Sequence, residues 1–259
     1  MNDEVEQFNA EVAANIAGLK NDRDVQALSR IWLREIGPHR YAYNFNYLGR
    51  PLIQFPQDMA AVQELVWCTR PELIVETGIA HGGSLIQSAS LLALLDYCDA
   101  VESGGALDPR APRRRVLGID IDIRAHNRAA IEAHPMAHRI DMIEGSSIDG
   151  SIIAEVHRRA ASHGRVMVIL DSNHTHEHVL AELEAYAPLV TSGCYCVVFD
   201  TVIEDLPAGL HPDRPWDVGN NPKTAVREYL SRDVGFAVDE DLEAKLLITV
   251  APGGYLRRL

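Results

Sequence analysis

The sequence predicts an α/β protein whose mostly parallel sheet is covered by helices on both faces. Three observations carry that expectation. From residue 57 onward, apolar runs of strand length alternate with segments of helical periodicity, the mark of repeated strand–helix–strand units. The first such run leads into a glycine-rich turn, Glu76-Thr-Gly-Ile-Ala-His-Gly-Gly-Ser84. Five successive runs each end in an acid, at the edge where open α/β sheets bind their ligands.

Composition bounds the function. The 259 residues suit one large α/β domain, or one domain with an appendage. A net charge of −13, from 24 basic and 37 acidic residues, argues against a nucleic-acid groove. Cys68, Cys98, Cys194 and Cys196 fall on apolar segments with no C-x-x-C spacing, so buried thiols in a reducing cytoplasm are expected. The start, MNDEVEQF, lacks the basic and apolar regions of a signal peptide. No apolar run approaches the ~20 residues that span a bilayer, so no membrane partner is expected.

The elements follow in order. Val5, Phe8, Val12, Ile16 and Leu19 form a helical stripe over 3–19, and a second helix over about 22–36 is stopped by Gly37-Pro38. Neither belongs to the alternating repeat; both are expected to cap the sheet or to join subunits of a homo-oligomer. Residues 1–44 thus read as a helical and lid segment, and 45–259 as the main domain. Aromatics at 41, 43, 45 and 47 alternate like a half-buried strand, or form a wall over a ligand. Then come a helix over 57–69, a strand over 72–76 and a helix over 84–97. A polar loop over 99–114 leads to a strand over 115–120, a helix over 124–133, a strand over 140–144 and a helix over 149–161. A strand over 165–170, a helix over 176–186 and a strand over 194–199 close the alternation. The proline-rich stretch 201–222 has the length of a functional lid. A helix near 223–232 and strands near 235–239 and 245–250 end the chain.

The strand ends carry the chemistry. The turn after Glu76 matches neither a phosphate loop, which needs a lysine, nor G-x-G-x-x-G. A carboxylate beside Gly78, Gly82 and Gly83 suits a ligand with positive charge and hydroxyls, as in S-adenosylmethionine. The second strand ends in Asp120, the position of an acid that accepts from ribose hydroxyls. The spacing from Gly78 is about twice the ~20 residues usual in dinucleotide folds, and the 99–114 loop accounts for the excess. Asp122 reads as a helix cap. The third strand ends in Glu144-Gly-Ser-Ser147, expected to flank an adenine. Asp171 and Asp200 end the next two strands and suit a hard cation such as Mg²⁺. His174 has an imidazole able to take a proton from a hydroxyl near neutral pH. A rival reading joins His174 and His178, with Asp171 or Glu177, in a zinc hydrolase site.

These residues as a set resemble a known family. Glu76-Thr-Gly-x-x-x-Gly-Gly-Ser84, Gly118-Ile-Asp120, Glu144-Gly-Ser-Ser147, Asp171-Ser-x-His174 and Ala187-Pro-Leu-Val-x-x-Gly193 are similar to the rhamnosyl O-methyltransferase and cephalosporin-hydroxylase-type family. Leu48-Gly-x-Pro and Gln54-x-Pro-x-Asp58 extend the resemblance, which runs from about residue 45 to 200. It implies a class I methyltransferase (Rossmann-like) fold with a seven-stranded sheet and S-adenosylmethionine as donor. The acceptor it implies is a deoxysugar of rhamnose type, nucleotide-linked, in antibiotic biosynthesis. The residues it places on the donor are Glu76, Thr77, Gly78, Gly82, Ser84, Asp120, Glu144, Gly145, Ser146 and Asp171. Asp171 matches the first metal ligand, His174 the base, and Asp200 the second acid of an acidic pair. Phe199 stands where that pair usually has its other acid, so water or Glu204 is left to complete the metal shell. The alternatives are a cephalosporin-type tailoring enzyme, a metal-dependent hydroxylase or hydrolase, and a silent partner that organises an assembly through residues 1–36.

Overall fold

The computed structural model describes residues 3–259. Two helices lead, α1 (Asp3–Asn21) and α2 (Arg23–Ile36). Asp22 stops the first and starts the second, its carboxylate accepting from the amides of Asp24 and Val25 at 3.0 and 3.1 Å. The aromatic stretch that follows is not a strand. Tyr41–Asn44 is a 3₁₀ turn entered from Arg40 at φ 46°, and only β1 (Asn46–Tyr47) and β2 (Arg50–Pro51) pair, as a small hairpin. Tyr41 serves instead as the hub of an edge-on aromatic cluster, 5.1 Å from Trp32, 5.1 Å from Phe45 and 5.7 Å from Phe55 between ring centroids.

The alternating core comes next. It runs α3 (Pro56–Thr69), β3 (Leu73–Thr77), α4 (Gly83–Ser103), β4 (Arg115–Asp120), α5 (Ala125–Glu132) and β5 (Ile140–Glu144). It continues through α6 (Gly150–Ala160), β6 (Val166–Leu170), α7 (His176–Tyr186) and β7 (Tyr195–Val198). The central strands β3 and β6 are buried at every residue, as parallel strands with two covered faces must be. Helix α4 runs further than periodicity suggested, to Ser103, where Gly104 at φ 64° supplies the left-handed cap.

The C-terminal part is α8 (Pro222–Leu230), β8 (Phe236–Val238), α9 (Glu240–Leu246) and β9 (Tyr255–Arg258). The strand expected at 245–250 is therefore absent. Asp239 caps a helix there by accepting from the Leu242 amide at 3.0 Å, and the final strand forms nine residues later at Tyr255–Arg258. Helix α1 lies along α9, with Lys20 2.8 Å from Glu240.

Sheet order is β5-β4-β3-β6-β7-β9-β8. β5, β4, β3, β6 and β7 are parallel, and β9 runs antiparallel between β7 and β8. One core lies under α3 and α4, with Ile74, Leu85, Leu92 and Met167; the other lies under α6, α7 and α8, with Val75, Val168, Leu183 and Tyr186. The chain steps outward from β3 to β5, then returns to β6 and steps outward the other way. The crevice between the ends of β3 and β6 is thus the switch point at which open sheets take ligands. No helix among the described residues is long and apolar enough to cross a membrane. Cys194 and Cys196 are buried as expected, but Cys68 is exposed and Cys98 half-buried.

Candidate active site

The glycine turn sits at that switch point, and packing decides where its glycines fall. Gly78 has φ 89°, and a Cβ there would lie 1.9 Å from the backbone oxygen of Asp171. The turn after β3 therefore presses directly on the turn after β6. Gly83 is equally confined, with a Cβ position 2.2 Å from the Pro51 oxygen. Arg50 of β2 holds the turn from outside. Its Nε and Nη2 donate to the His81 carbonyl at 3.0 and 2.6 Å, and Nη2 to Asn127 at 3.2 Å. Asn127 in turn donates to the Ala80 carbonyl at 2.9 Å.

Glu76 and Thr77 are buried beneath this turn. Ser84 donates its hydroxyl to Glu76 Oε1, while Oε2 has no hydrogen-bond partner. Burial pushes the Glu76 carboxyl up to about 7, against the Ser84 hydrogen bond. Asp120 lies across the turn, accepting from the Ile79 and Ala80 amides at 2.8 and 3.3 Å and from Asp122 at 3.1 Å. Glu144 is exposed and pairs with Arg128 at 2.8 Å.

An 880 Å³ cavity opens at the ends of β3, β6 and β7. Its floor includes Gly78, Gly83, Ser84, Asp171, Ser172, His174 and Asp200. One wall is the N-terminal segment, with Leu33, Arg40, Tyr41 and Tyr43; another is the proline-rich lid, with Leu206, Leu210, His211, Arg214 and Trp216. Gly37 of one wall faces Leu210 of the other, which lies 4.0 Å from where a Cβ on Gly37 would stand. Trp216 stands edge-on to His174 at 5.7 Å and to His211 at 5.1 Å. The aromatic run thus lines a ligand cavity through Tyr41 and Tyr43, as a wall and not as a strand.

Asp171, His174 and Asp200 each bring a ligand atom within 4.8 Å of one another. Among the described residues they are the set of three that could hold a metal ion. His174 Nε2 is 3.2 Å from Asp200 Oδ2. Asp200 takes φ 56°, which turns its side chain out of the strand line, while Phe199 before it is buried in the core. Burial, and then the Asp200 and Glu76 carboxylates, hold Asp171 well above the usual carboxylate range. Only an amide opposes them, Gln54 Nε2 donating to Asp171 Oδ2 at 3.2 Å. A half-buried carboxylate on a cavity floor, flanked by acids and relieved by one neutral donor, fits a bound cation.

Several expected residues lie elsewhere. Glu204 is not part of the metal set. It accepts from the Gly219 amide at 2.8 Å and Asn221 at 2.6 Å, and pairs with Arg227 at 3.3 Å, so it anchors the lid. The cause is the 3₁₀ turn Thr201–Asp205, which carries Glu204 away from Asp200. Asp120, Glu144, Gly145 and Ser146 do not line the cavity. His176 bonds Thr224 and Glu228, and His178 bonds Ser147, so the zinc set of His174 with His178 is not assembled. Gln54, Ser172 and Trp216 join the site beyond the expected residues; Gln54-x-Pro-x-Asp58 and Asp171-Ser-x-His174 carry a sequence signal for the first two, and nothing local marks Trp216.

A parallel sheet with a glycine turn at its switch point, closed by an antiparallel pair, defines the class: a class I methyltransferase fold. The sequence profile of the Rhamnosyl O-methyltransferase/CmcI family matches residues 39–259. A rhamnosyl O-methyltransferase of Mycobacterium tuberculosis is 30% identical over 218 residues, 82% of this chain and 77% of the relative. One from Mycobacterium leprae is 27% identical over 230 residues, 85% of this chain and 88% of the relative. A CmcI structure described with Mg and SAM superposes with TM-score 0.51 at 19% identity, covering 84% of this chain and 77% of that one. CalS11, described as a TDP-rhamnose 3′-O-methyltransferase of calicheamicin biosynthesis, gives 0.48 at 16%, covering 96% and 93%. The CmcI likeness, at 19% identity, concerns the fold alone. The chain belongs to the rhamnosyl O-methyltransferase/CmcI family, a family of S-adenosylmethionine-dependent sugar O-methyltransferases, and is an enzyme of that class.

Proposed function

We propose that the enzyme methylates a hydroxyl of a nucleotide-linked, rhamnose-type deoxysugar in natural-product biosynthesis. The observation that carries the reading is the meeting of Asp171, His174 and Asp200 on the floor of one cavity that also borders the glycine turn. His174 removes the acceptor proton. With Nε2–H donating to Asp200, Nδ1 is the lone pair left for the hydroxyl, and Asp200 fixes the ring. Asp171 and Asp200 would hold Mg²⁺, which when bound supplies Lewis acidity that eases loss of that proton. Gly78 and Ser84 border the methyl end of the donor, with Glu76, Thr77 and Gly82 shaping the turn. Asp120, Glu144, Gly145 and Ser146, on the neighbouring strand ends, take its adenosine end. Since Asp120 is held by the Ile79 and Ala80 amides, donor binding involves movement of that turn.

Arg40 and Arg214 on the cavity walls support a diphosphate on the acceptor. Arg50 and Arg227 do not line the cavity and bond instead to the His81 carbonyl and Glu204. Residues 1–44 form the appendage, where the exposed Val5, Phe8, Leu28 and Ile31 favour self-association.

The test is incubation with labelled S-adenosylmethionine and a panel of nucleotide deoxysugars, read by mass spectrometry. His174→Ala is expected to lower kcat by about 10²–10⁴ and to spare binding of S-adenosylhomocysteine. Unchanged kcat sinks the base assignment, and an undiminished rate in EDTA sinks the metal.

A further inference from the structure

Helix α7 presents His178, Glu182 and Tyr186 at four-residue steps, so all three share one face. All three reach Ser147, just past the end of β5. His178 Nε2 is 3.0 Å from Ser147 Oγ, and that hydroxyl donates to Glu182 Oε1 at 2.5 Å. The Tyr186 hydroxyl donates to the Ser147 carbonyl. Glu182 Oε1 also accepts from Ser172 Oγ at 2.6 Å. Ser172 follows Asp171 and lines the cavity. One carboxylate oxygen therefore ties the turn after β5 to the turn after β6.

Glu182 is fully buried, and its Oε2 has no hydrogen-bond partner. A buried carboxylate with an unsatisfied oxygen is a poor device for stability, since an apolar side chain of similar volume often serves better. What Glu182 does supply is a shared acceptor. A displacement of Ser147 changes the hydrogen bond open to Ser172, and the reverse holds too. Charge-assisted bonds of this kind are the strong ones.

We propose that Glu182 is a positioning residue that couples the donor turn, 144–147, to the catalytic turn, 171–174. Occupation of the adenosine end then sets Asp171 and His174 for proton removal. The inference rests on the methyl-transfer reading above.

Hydrogen exchange on the full chain tests the coupling without turnover. S-adenosylhomocysteine is expected to protect peptides covering 171–175 as well as 144–150. In Glu182→Leu, which removes the acceptor at similar volume, the first protection is lost and the second remains. Ser172→Ala, which keeps the buried carboxylate, is expected to do the same. Protection of 171–175 that survives both substitutions overturns the proposal, as does protection confined to 144–150 in the parent enzyme. Kinetics give a second reading. Ser147→Ala and Ser172→Ala should each lower kcat/KM about tenfold, the size of one charge-assisted hydrogen bond. The double variant should lose little more than either single one; a multiplicative, roughly hundredfold loss refutes the coupling. Absence of methylated product from the parent enzyme would sink the methyl-transfer reading instead, and the exchange arm would still decide the coupling.

Discussion

Gly78→Ala should damage this enzyme more than its single methyl group suggests. Two costs combine. At φ 89° an L-residue leaves its allowed regions, at about 1–2 kcal/mol. The new Cβ would also lie 1.9 Å from the Asp171 oxygen, which is main chain and has no rotamer by which to withdraw. Relief requires the ends of β3 and β6 to part where Asp171 donates to Thr77 at 2.9 Å, while Gly78 is also tied to Ile119 of β4 at 2.8 Å. Overpacking of that kind costs about 1–3 kcal/mol, for a total of roughly 2–5 kcal/mol. Gly49→Ala is the control, with φ 85° and nothing within 4 Å of its Cβ position, so it carries the backbone cost alone. Urea denaturation monitored by circular dichroism should show a larger fall in midpoint for Gly78→Ala at unchanged m-value. The melting temperature should fall by roughly 4–20 °C, at about 2–4 °C per kcal/mol. Because the displaced atom belongs to Asp171, kcat should fall as well. Equal destabilisation by the two substitutions, within about 0.5 kcal/mol, would refute the argument that the turns press on each other.

Other outcomes follow from the same geometry. Glu76 has its folded pKa raised to about 7 from an ordinary 4.5, so the folded state binds the proton more tightly. Its contribution to stability is full below the unfolded value and is lost as pH rises through about 7, a change of about 3 kcal/mol. Glu76→Gln should flatten that part of the stability–pH curve measured by denaturation; an unchanged slope contradicts the assignment. Glu204→Gln should loosen the lid, raising KM for the acceptor while leaving magnesium binding by calorimetry unchanged. Weakened magnesium binding would restore Glu204 as a ligand. Trp216→Ala should raise acceptor KM about tenfold by removing one aromatic platform, with donor affinity unaltered in the same titration.

What the sequence revealed follows from which forces are local. β3, β6 and β7 are legible because a strand buried on both faces must be apolar nearly throughout, and the five parallel strands end where polarity returns, at Glu76, Asp120, Glu144, Asp171 and Asp200. Alternation at 41–47 leaves a strand and a wall both open, and tertiary packing decides between them: Tyr41 stands in a 3₁₀ turn, 5.1 Å from Phe45 just beyond it. The β-branched run Ile248-Thr249-Val250 resembled a strand, yet it is held elsewhere. Asp58 of α3 takes the Thr249 hydroxyl, the Val250 amide at 3.0 Å and the Tyr255 hydroxyl at 2.6 Å, a buried knot between residues nearly two hundred apart. The chain order of acids was readable, but not their directions. A single left-handed residue, Asp200, separates a cluster member from Glu204, and no local pattern announces it. Glu182 lay hidden for a similar reason, as its partners come from two other strand ends.

The cavity walls have a consequence for how such enzymes diversify. The transfer chemistry is built into strand ends welded to the core, where even one methyl group at Gly78 is resisted. The walls of the cavity come from two stretches outside the parallel sheet, around residues 33–43 and 206–216. Leu33, Ile36, Tyr41 and Leu206 anchor these stretches to the core, and the remaining wall residues lie outside the sheet. Grafting both between relatives should transplant substrate preference as a unit, whereas grafting one alone should leave two mismatched walls where Gly37 faces Leu210.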